Sequence, residues 1–203
     1  MKIFIGQPVM EYGTDQLEKA LEKNTGADLY LYPEGYLNDN LESACSLAQT
    51  YNKTIITGYK KPKDRAVIIF GSGGIVLDRA KYDDPKVIEM GRMKIGFLLC
   101  DELILQGLST VSEKLDLIVH PIGVGMFSEG QFEEWMNLAK KTAREHQAIM
   151  LGTSHANGSY KNCGTSIPIA YGVNRYGEEI FVMKNDTRSV VLDLDTLDNE
   201  ILA

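Results

Sequence analysis

Residues 94–103, KIGFLLCDEL, run an apolar strand straight into a cysteine and two carboxylates. Inside such a run a cysteine is ordinarily a small buried hydrophobe. At the strand's end it is better placed for chemistry, because side chains of α/β proteins converge on substrate where strands end. Its neighbours elsewhere in the chain decide between the two.

Two other strand-like stretches end on groups that a thiol would use. DLYLY (residues 28–32) is closed by Pro33 and delivers Glu34 in YPEGY. RAVIIF (65–70) and residues 74–77 are separated by GSGG and read as a hairpin, since glycine supplies the positive φ of a tight turn. Lys81 follows in LDRAKYDDP. GSGG is no phosphate loop, because neither a helix nor a Gly-Lys-Ser/Thr ending follows it. A carboxylate can take the proton of a thiol and later that of a water. An ammonium can hold the negative charge that develops on a substrate atom. Taken singly, Glu34 reads as a solvated loop residue and Lys81 as a surface charge. The order strand-Glu, strand-Lys, strand-Cys gives them joint meaning.

The remaining pattern alternates strands and helices. MKIFIG opens as a strand, residues 14–23 form a helix capped by Thr14 or Asp15, and residues 41–51 form another with Leu41, Ala44, Cys45 and Ala48 on one face. KTIITG (53–58) is strand, 103–113 helix and LDLIVH (115–120) strand. Ser128 and Gln131 make a capping box for a long helix to Gln147, with Phe132, Trp135, Ala139, Thr142 and His146 along one stripe. Strands follow at 148–153, 166–171, 179–184 and 189–194. About nine to eleven strands and four helices, without repeats or linkers, make one α/β domain over residues 1–203 with a mixed sheet system covered by helices.

Composition narrows the partners. Of 203 residues, 44% are hydrophobic and 24% charged, enough for a sizeable core. A net charge of −7 argues against nucleic acid and against an anionic membrane surface. The first ten residues lack a secretory pattern, and no apolar run is long enough to span a bilayer. Cys45, Cys100 and Cys163 are odd in number and scattered, which predicts neither disulfides nor a zinc site and fits a cytoplasmic setting.

In these motifs the chain resembles the nitrilase superfamily, the carbon-nitrogen hydrolases. LYLYPEGY resembles the family's first signature, AVIIFGSGGIVLDRAKYD the hairpin leading to its lysine, and MKIGFLLCDEL its nucleophile signature. LDLIVHPIG, the Trp135 helix, AIMLGTSHANG and GTSIPIAYGVNRYGEEI follow in the family's order. The resemblance implies an αββα sandwich and a thioester mechanism with Cys100 as nucleophile, Glu34 as general base and Lys81 steadying the tetrahedral intermediate, helped by the backbone N–H after Cys100. It implies no metal or organic cofactor, a small amide, N-carbamoyl or nitrile substrate with water, and a homodimer. Many members use a second glutamate to position these groups. Glu89 is the candidate by spacing from Lys81, with Asp101 and Glu102 competing. Tyr36, Tyr82, Met126, Phe127 and His155 are candidate lining residues.

The departures concern substrate and assembly. The stretch between Lys81 and Cys100 is short for the family, so a substrate-covering segment is trimmed. Asp101 stands where an aromatic is common, and the chain stops soon after VVLDLDTL without the arm that crosses a dimer interface. His120 or His155 could instead serve Cys100 as a base, but an amidotransferase elbow requires glycines that flank the cysteine, and they are missing. The other class is a non-catalytic binding or scaffold protein that keeps the sandwich. An active hydrolase is expected to carry a low-pKa, alkylatable Cys100, whereas a binder has no such need.

Overall fold

Strand alternation gives each of two sheets one face toward its partner sheet and one toward helices. The computed structural model describes residues 1–72 and 74–202, so Gly73 of the GSGG turn lies outside the described residues. One sheet has the order β13 (Asn199–Ile201), β12 (Val190–Asp193), β1 (Lys2–Ile5), β2 (Leu29–Leu31), β3 (Thr54–Lys60), β4 (Asp64–Phe70), β5 (Gly74–Ala80). The other has the order β11 (Glu179–Lys184), β10 (Ile169–Val173), β9 (Ile149–Thr153), β8 (Leu117–Pro121), β7 (Met93–Phe97), β6 (Ile88–Met90). The pairs β1–β2, β2–β3, β7–β8 and β8–β9 are parallel. The flanking pairs are antiparallel.

In β1, Ile3 and Ile5 enter the core between the sheets while Phe4 faces outward. Leu29 and Leu31 of β2 do the same around Tyr30. From the opposite sheet come Ile95, Phe97, Leu117, Val119, Ile149 and Leu151. Burying each of these side chains is worth about 1.5–3 kcal/mol. On the outer face of the first sheet, α1 (Asp15–Lys23) and α2 (Leu41–Tyr51) supply Leu17, Leu21, Ala44 and Ala48 to a core with Tyr30, Ile55 and Val67. On the outer face of the second, α4 (Glu129–His146) supplies Trp135, Met136, Ala139 and Ala143 against Ile118, Met150 and Tyr171. The layers are therefore α, β, β, α, as the resemblance implied.

Several local readings needed revision. Among the described residues there are thirteen strands, because β6 and β13 are three-residue edge strands too short to leave a periodic signal. The helix expected over 103–113 is only α3 (Glu102–Leu105), stopped where Gly107 turns to φ +62°. The strand expected at 166–171 starts after Pro168, and Ile167 instead makes an isolated bridge to Met126. At the N-terminus of α4 the Ser128 hydroxyl accepts the Gln131 N–H at 3.1 Å, but Gln131 reaches back to the Phe127 N–H at 2.7 Å rather than to that of Ser128.

Leu151 is fully buried between the sheets, whereas Leu105 on α3 is 68% exposed. Leu151→Ala should cost about 2–5 kcal/mol in a denaturant titration, and Leu105→Ala should stay within about 0.5 kcal/mol of the parent.

Candidate active site

Glu34 lies just beyond β2, Lys81 directly follows β5, and Cys100 lies just beyond β7. The structure brings all three together from the ends of strands in both sheets. Lys81 Nζ stands 2.8 Å from Glu34 Oε1 and 2.8 Å from Asp101 Oδ1. Glu34 also interacts with the Cys100 thiol.

Each position is fixed locally. The buried Thr57 hydroxyl donates to the Pro33 carbonyl at 2.8 Å, pinning the turn that carries Glu34. Gly58 lets this turn approach β3, since a Cβ there would lie 3.0 Å from the Gly35 nitrogen and 3.2 Å from Glu34 Cα. A Cβ on Gly123 would lie 2.9 Å from Glu34 Oε2, so that glycine leaves room for the carboxylate.

Cys100 has φ +50°, a left-handed conformation that costs a non-glycine residue about 1–2 kcal/mol. Its N–H donates to the Pro121 carbonyl at 2.8 Å, and its own carbonyl lies 2.7 Å from His120 Nε2. A carbonyl only accepts, so Nε2 carries the proton and Nδ1 accepts the Tyr171 hydroxyl at 2.6 Å. Burial pushes the His120 pKa down to about 4, opposed by the hydrogen bond to the Cys100 carbonyl, and keeps the ring neutral. His120 therefore holds the backbone of the cysteine, not its sulfur. His155 is also buried, with Nδ1 on the Gly123 carbonyl, and so braces the loop against which Glu34 rests.

A buried ion pair ties the two loops together. Arg79 Nη1 and Nη2 donate to Glu102 Oε1 and Oε2 at 2.8 and 2.7 Å, and both side chains are 1% exposed. Glu102 Oε1 also accepts the Tyr82 N–H at 2.6 Å and Oε2 the Leu99 N–H at 2.7 Å. Arg79 Nη1 donates further to the carbonyls of Ala80 and Asp83, each at 3.0 Å. The pair thus grips the backbone on either side of Lys81 and just before Cys100.

The electrostatics reverse one expectation. Burial pushes the Cys100 thiol well above its ordinary range, and the Glu34 charge adds to this. Lys81 and the Gly123 N–H oppose it without prevailing. The resting cysteine is a neutral thiol, not a low-pKa thiolate. Burial likewise raises the Glu34 carboxyl despite the Lys81 ammonium. For Lys81 burial opposes the charged form, but Glu34, Cys100 and Asp101 outweigh it and its pKa is raised. Burial also works against ionised Asp101, yet the hydrogen bonds from Lys81 and Tyr82 leave that carboxyl below its usual value.

The chain superposes on solved amidases. The crystal structure of an amidase from Nesterenkonia sp. matches with a TM-score of 0.81 at 14% identity, covering 97% of this chain and 92% of that one. A variant of the amidase from Nesterenkonia sp. AN1, with the acetamide moiety of fluoroacetamide added covalently at its active-site cysteine, gives 0.81 at 14% identity over 95% and 89%. Another variant, described as belonging to the nitrilase superfamily, gives 0.81 at 14% identity over 97% and 92%. The chain has the nitrilase-superfamily fold. No protein-family model matches the sequence, and no curated protein does.

Within this nitrilase fold the other residues singled out from sequence divide. Glu89 is not brought to the cluster: it is 71% exposed on edge strand β6, 3.6 Å from Lys94 at the far end of β7 from Cys100. Glu102, in contrast, is part of the buried pair, and Asp101 touches Lys81 directly. Tyr36 is 1% exposed, with its hydroxyl between the Leu17 N–H and Glu11, so it is a packing residue and not pocket lining. Met126 is buried in the α4 layer, and Phe127 is half-buried beside it. Tyr82 is exposed at the rim, where its hydroxyl donates to Asp101 Oδ2 at 2.9 Å. Sequence reasoning missed Arg79 and Gly123. Arg79 had a signal, because alternation in β5 puts it on the same inward face as Leu77, and an inward arginine needs a partner. A cavity of about 530 Å³, lined in part by Gln7, Lys19, Lys23 and Arg188, lies apart from these groups beside α1.

Breaking the ion pair from one side strands a buried charge. Arg79→Met or Glu102→Leu alone should cost about 3–5 kcal/mol by denaturant unfolding. The double substitution should cost clearly less than the sum, giving a coupling energy in the double-mutant cycle.

Proposed function

We propose that the chain is a cysteine-dependent hydrolase of non-peptide C–N bonds, with Cys100, Glu34 and Lys81 as its catalytic residues and residues 1–203 as one hydrolase domain. The observation that carries this reading is the convergence of a base, a cation and a thiol on one point of a fold otherwise found in amidases. Small amides are the favoured substrates, since fluoroacetamide and acrylamide are the compounds seen with the Nesterenkonia amidase. N-carbamoyl compounds and nitriles are the other members of the class. A homodimer and a cytoplasmic location belong to the same reading, supported by the resemblance and by the three free cysteines.

In the proposed mechanism the raised thiol pKa rules out a standing thiolate. Glu34 takes the thiol proton as the sulfur attacks the amide carbon. Negative charge collects on the former carbonyl oxygen and is met by Lys81 and the backbone N–H of Asp101. Protonated Glu34 then gives its proton to the leaving nitrogen, the C–N bond breaks, and a thioester remains. Water, deprotonated by Glu34, attacks the thioester, and the acid leaves with the thiol restored. A raised carboxyl suits both directions of this transfer. Two observations favour the non-catalytic reading: Asp101 already occupies Lys81, and the Cys100 thiol lacks the low pKa expected of an active hydrolase. That reading predicts no turnover of any amide, carbamoyl compound or nitrile.

The test is a small-amide screen with mass-spectrometric detection of the acyl-enzyme. Cys100→Ala should abolish turnover, Glu34→Gln should lower kcat by about 10²–10⁴-fold, and Lys81→Ala by about 10²–10³-fold. Hydrolysis that survives Cys100→Ala would sink the assignment.

Lowering the pH protonates the base, so kcat/KM should fall on the acid side. Because the Glu34 carboxyl is raised, that limb should lie above the ordinary glutamate value of about 4.3. An acid limb at or below that value, in a rate profile measured on an uncharged amide, would remove Glu34 as the base.

A further inference from the structure

Asp101 is the outermost charge of the cluster. Its side chain is 38% exposed, against 14% for Lys81 and 9% for Glu34. It follows the nucleophile directly, which sets its Cα about 3.8 Å from that of Cys100. Both carboxylate oxygens are held, Oδ1 by Lys81 at 2.8 Å and Oδ2 by the Tyr82 hydroxyl at 2.9 Å. Tyr82 is held in turn through its N–H by Glu102. The charge is fixed in place on the solvent side of the cluster.

The surrounding charges cancel and leave this one over. Arg79 and Glu102 neutralise each other. Lys60 on β3 and Asp64 on β4 are register partners of opposite sign, and both are felt at the site, by His155 and Glu34 respectively. Lys81 supplies one positive charge to two carboxylates. Cys100 and Glu34 share a single proton in the reactive form, and together they carry one negative charge whichever of them holds it. The cluster therefore carries one net negative charge, and its exposed part is Asp101.

We propose that Asp101 sets the charge preference of the site, admitting acyl groups that are neutral or cationic and turning away those that bear a carboxylate. This rests on the amidase reading, and within it it narrows the substrate class. Simple amides and nitriles fit, amides with an ammonium group on the acyl chain fit better, and N-carbamoyl amino acids are disfavoured by their carboxylate. An approaching carboxylate meets a like charge at a distance where screening is incomplete, and an ammonium gains by the same amount.

Two measurements test it. The first needs no turnover: Cys100 is modified with methanethiosulfonate reagents bearing either a trimethylammonium or a sulfonate group, each rate normalised to a small neutral thiol and read by peptide mass spectrometry. The cationic reagent should react faster by about tenfold, and D101N should bring the ratio close to one, whereas D101E should keep it. The second compares hydrolysis of acyl amides of equal length ending in methyl, ammonium or carboxylate. The carboxylate substrate should be poorest in the parent, and D101N should narrow the spread in kcat/KM. A ratio near one in the parent, or a ratio unchanged in D101N, overturns the inference even if amides are hydrolysed. Charge-selective labelling without hydrolysis of any amide would keep the electrostatic role and sink the amidase reading. A Cys100 that neither reagent modifies would overturn both.

Discussion

The salt bridge between Arg79 and Glu102 fastens the exit of β5 to the exit of β7, and hence one sheet to the other. Both groups have left water, which is costly, and the cost is offset only because almost every donor and acceptor is used. Glu102 accepts four hydrogen bonds, two from the guanidinium and two from backbone N–H groups. Those backbone groups belong to Tyr82 and Leu99, the neighbours of Lys81 and Cys100. The geometry of the cluster thus depends on a pair that makes no hydrogen bond to the Cys100 sulfur, the Glu34 carboxylate or the Lys81 ammonium. A hydrophobic pair of similar size could fill the space but could not bind four strand-end backbone groups at once.

Around this fastening the backbone is held in conformations it would not choose. Cys100 and Tyr82 both have positive φ, at +50° and +68°. Such strain persists where surrounding bonds over-determine it. At Cys100 these bonds come from Pro121 and from a neutral histidine that is itself oriented by Tyr171. The bend sets the thiol beside Glu34 at the strand end, while burial keeps it protonated. Position and protonation are therefore set by separate devices, the first by hydrogen bonds to the backbone and the second by desolvation.

Much of this was legible in the sequence, and the reasons differ by residue. Glu34, Lys81 and Cys100 stood out because each follows an alternating or apolar run, so the end of a strand could be located without a structure. The alternation of strands and helices pointed to a mixed sheet system covered by helices, and the four-layer order came from the family resemblance. Glu89 misled because counting along the chain ignores the β6–β7 hairpin, which carries that residue to a sheet edge. Glu102 was noticed as an acid of the nucleophile motif, but its role required its partner, and Arg79 lies across the gap between the sheets. The pKa of Cys100 was not legible at all. Desolvation depends on what packs over the sulfur, and no pattern in one sequence records that.

One consequence of the two-sheet arrangement concerns motion. Glu34 and Lys81 are carried by one sheet, and Cys100 and Gly123 by the other. A sliding of the sheets along their shared apolar face, with every strand intact, changes the distance from sulfur to carboxylate by up to the amount of the slide. Misplacement of about an ångström is already expensive for proton transfer and attack. Reactivity at Cys100 is consequently a gauge of how the two layers are seated, and side chains far from it, such as Ile3 or Leu117 in the layer between, reach the thiol mechanically.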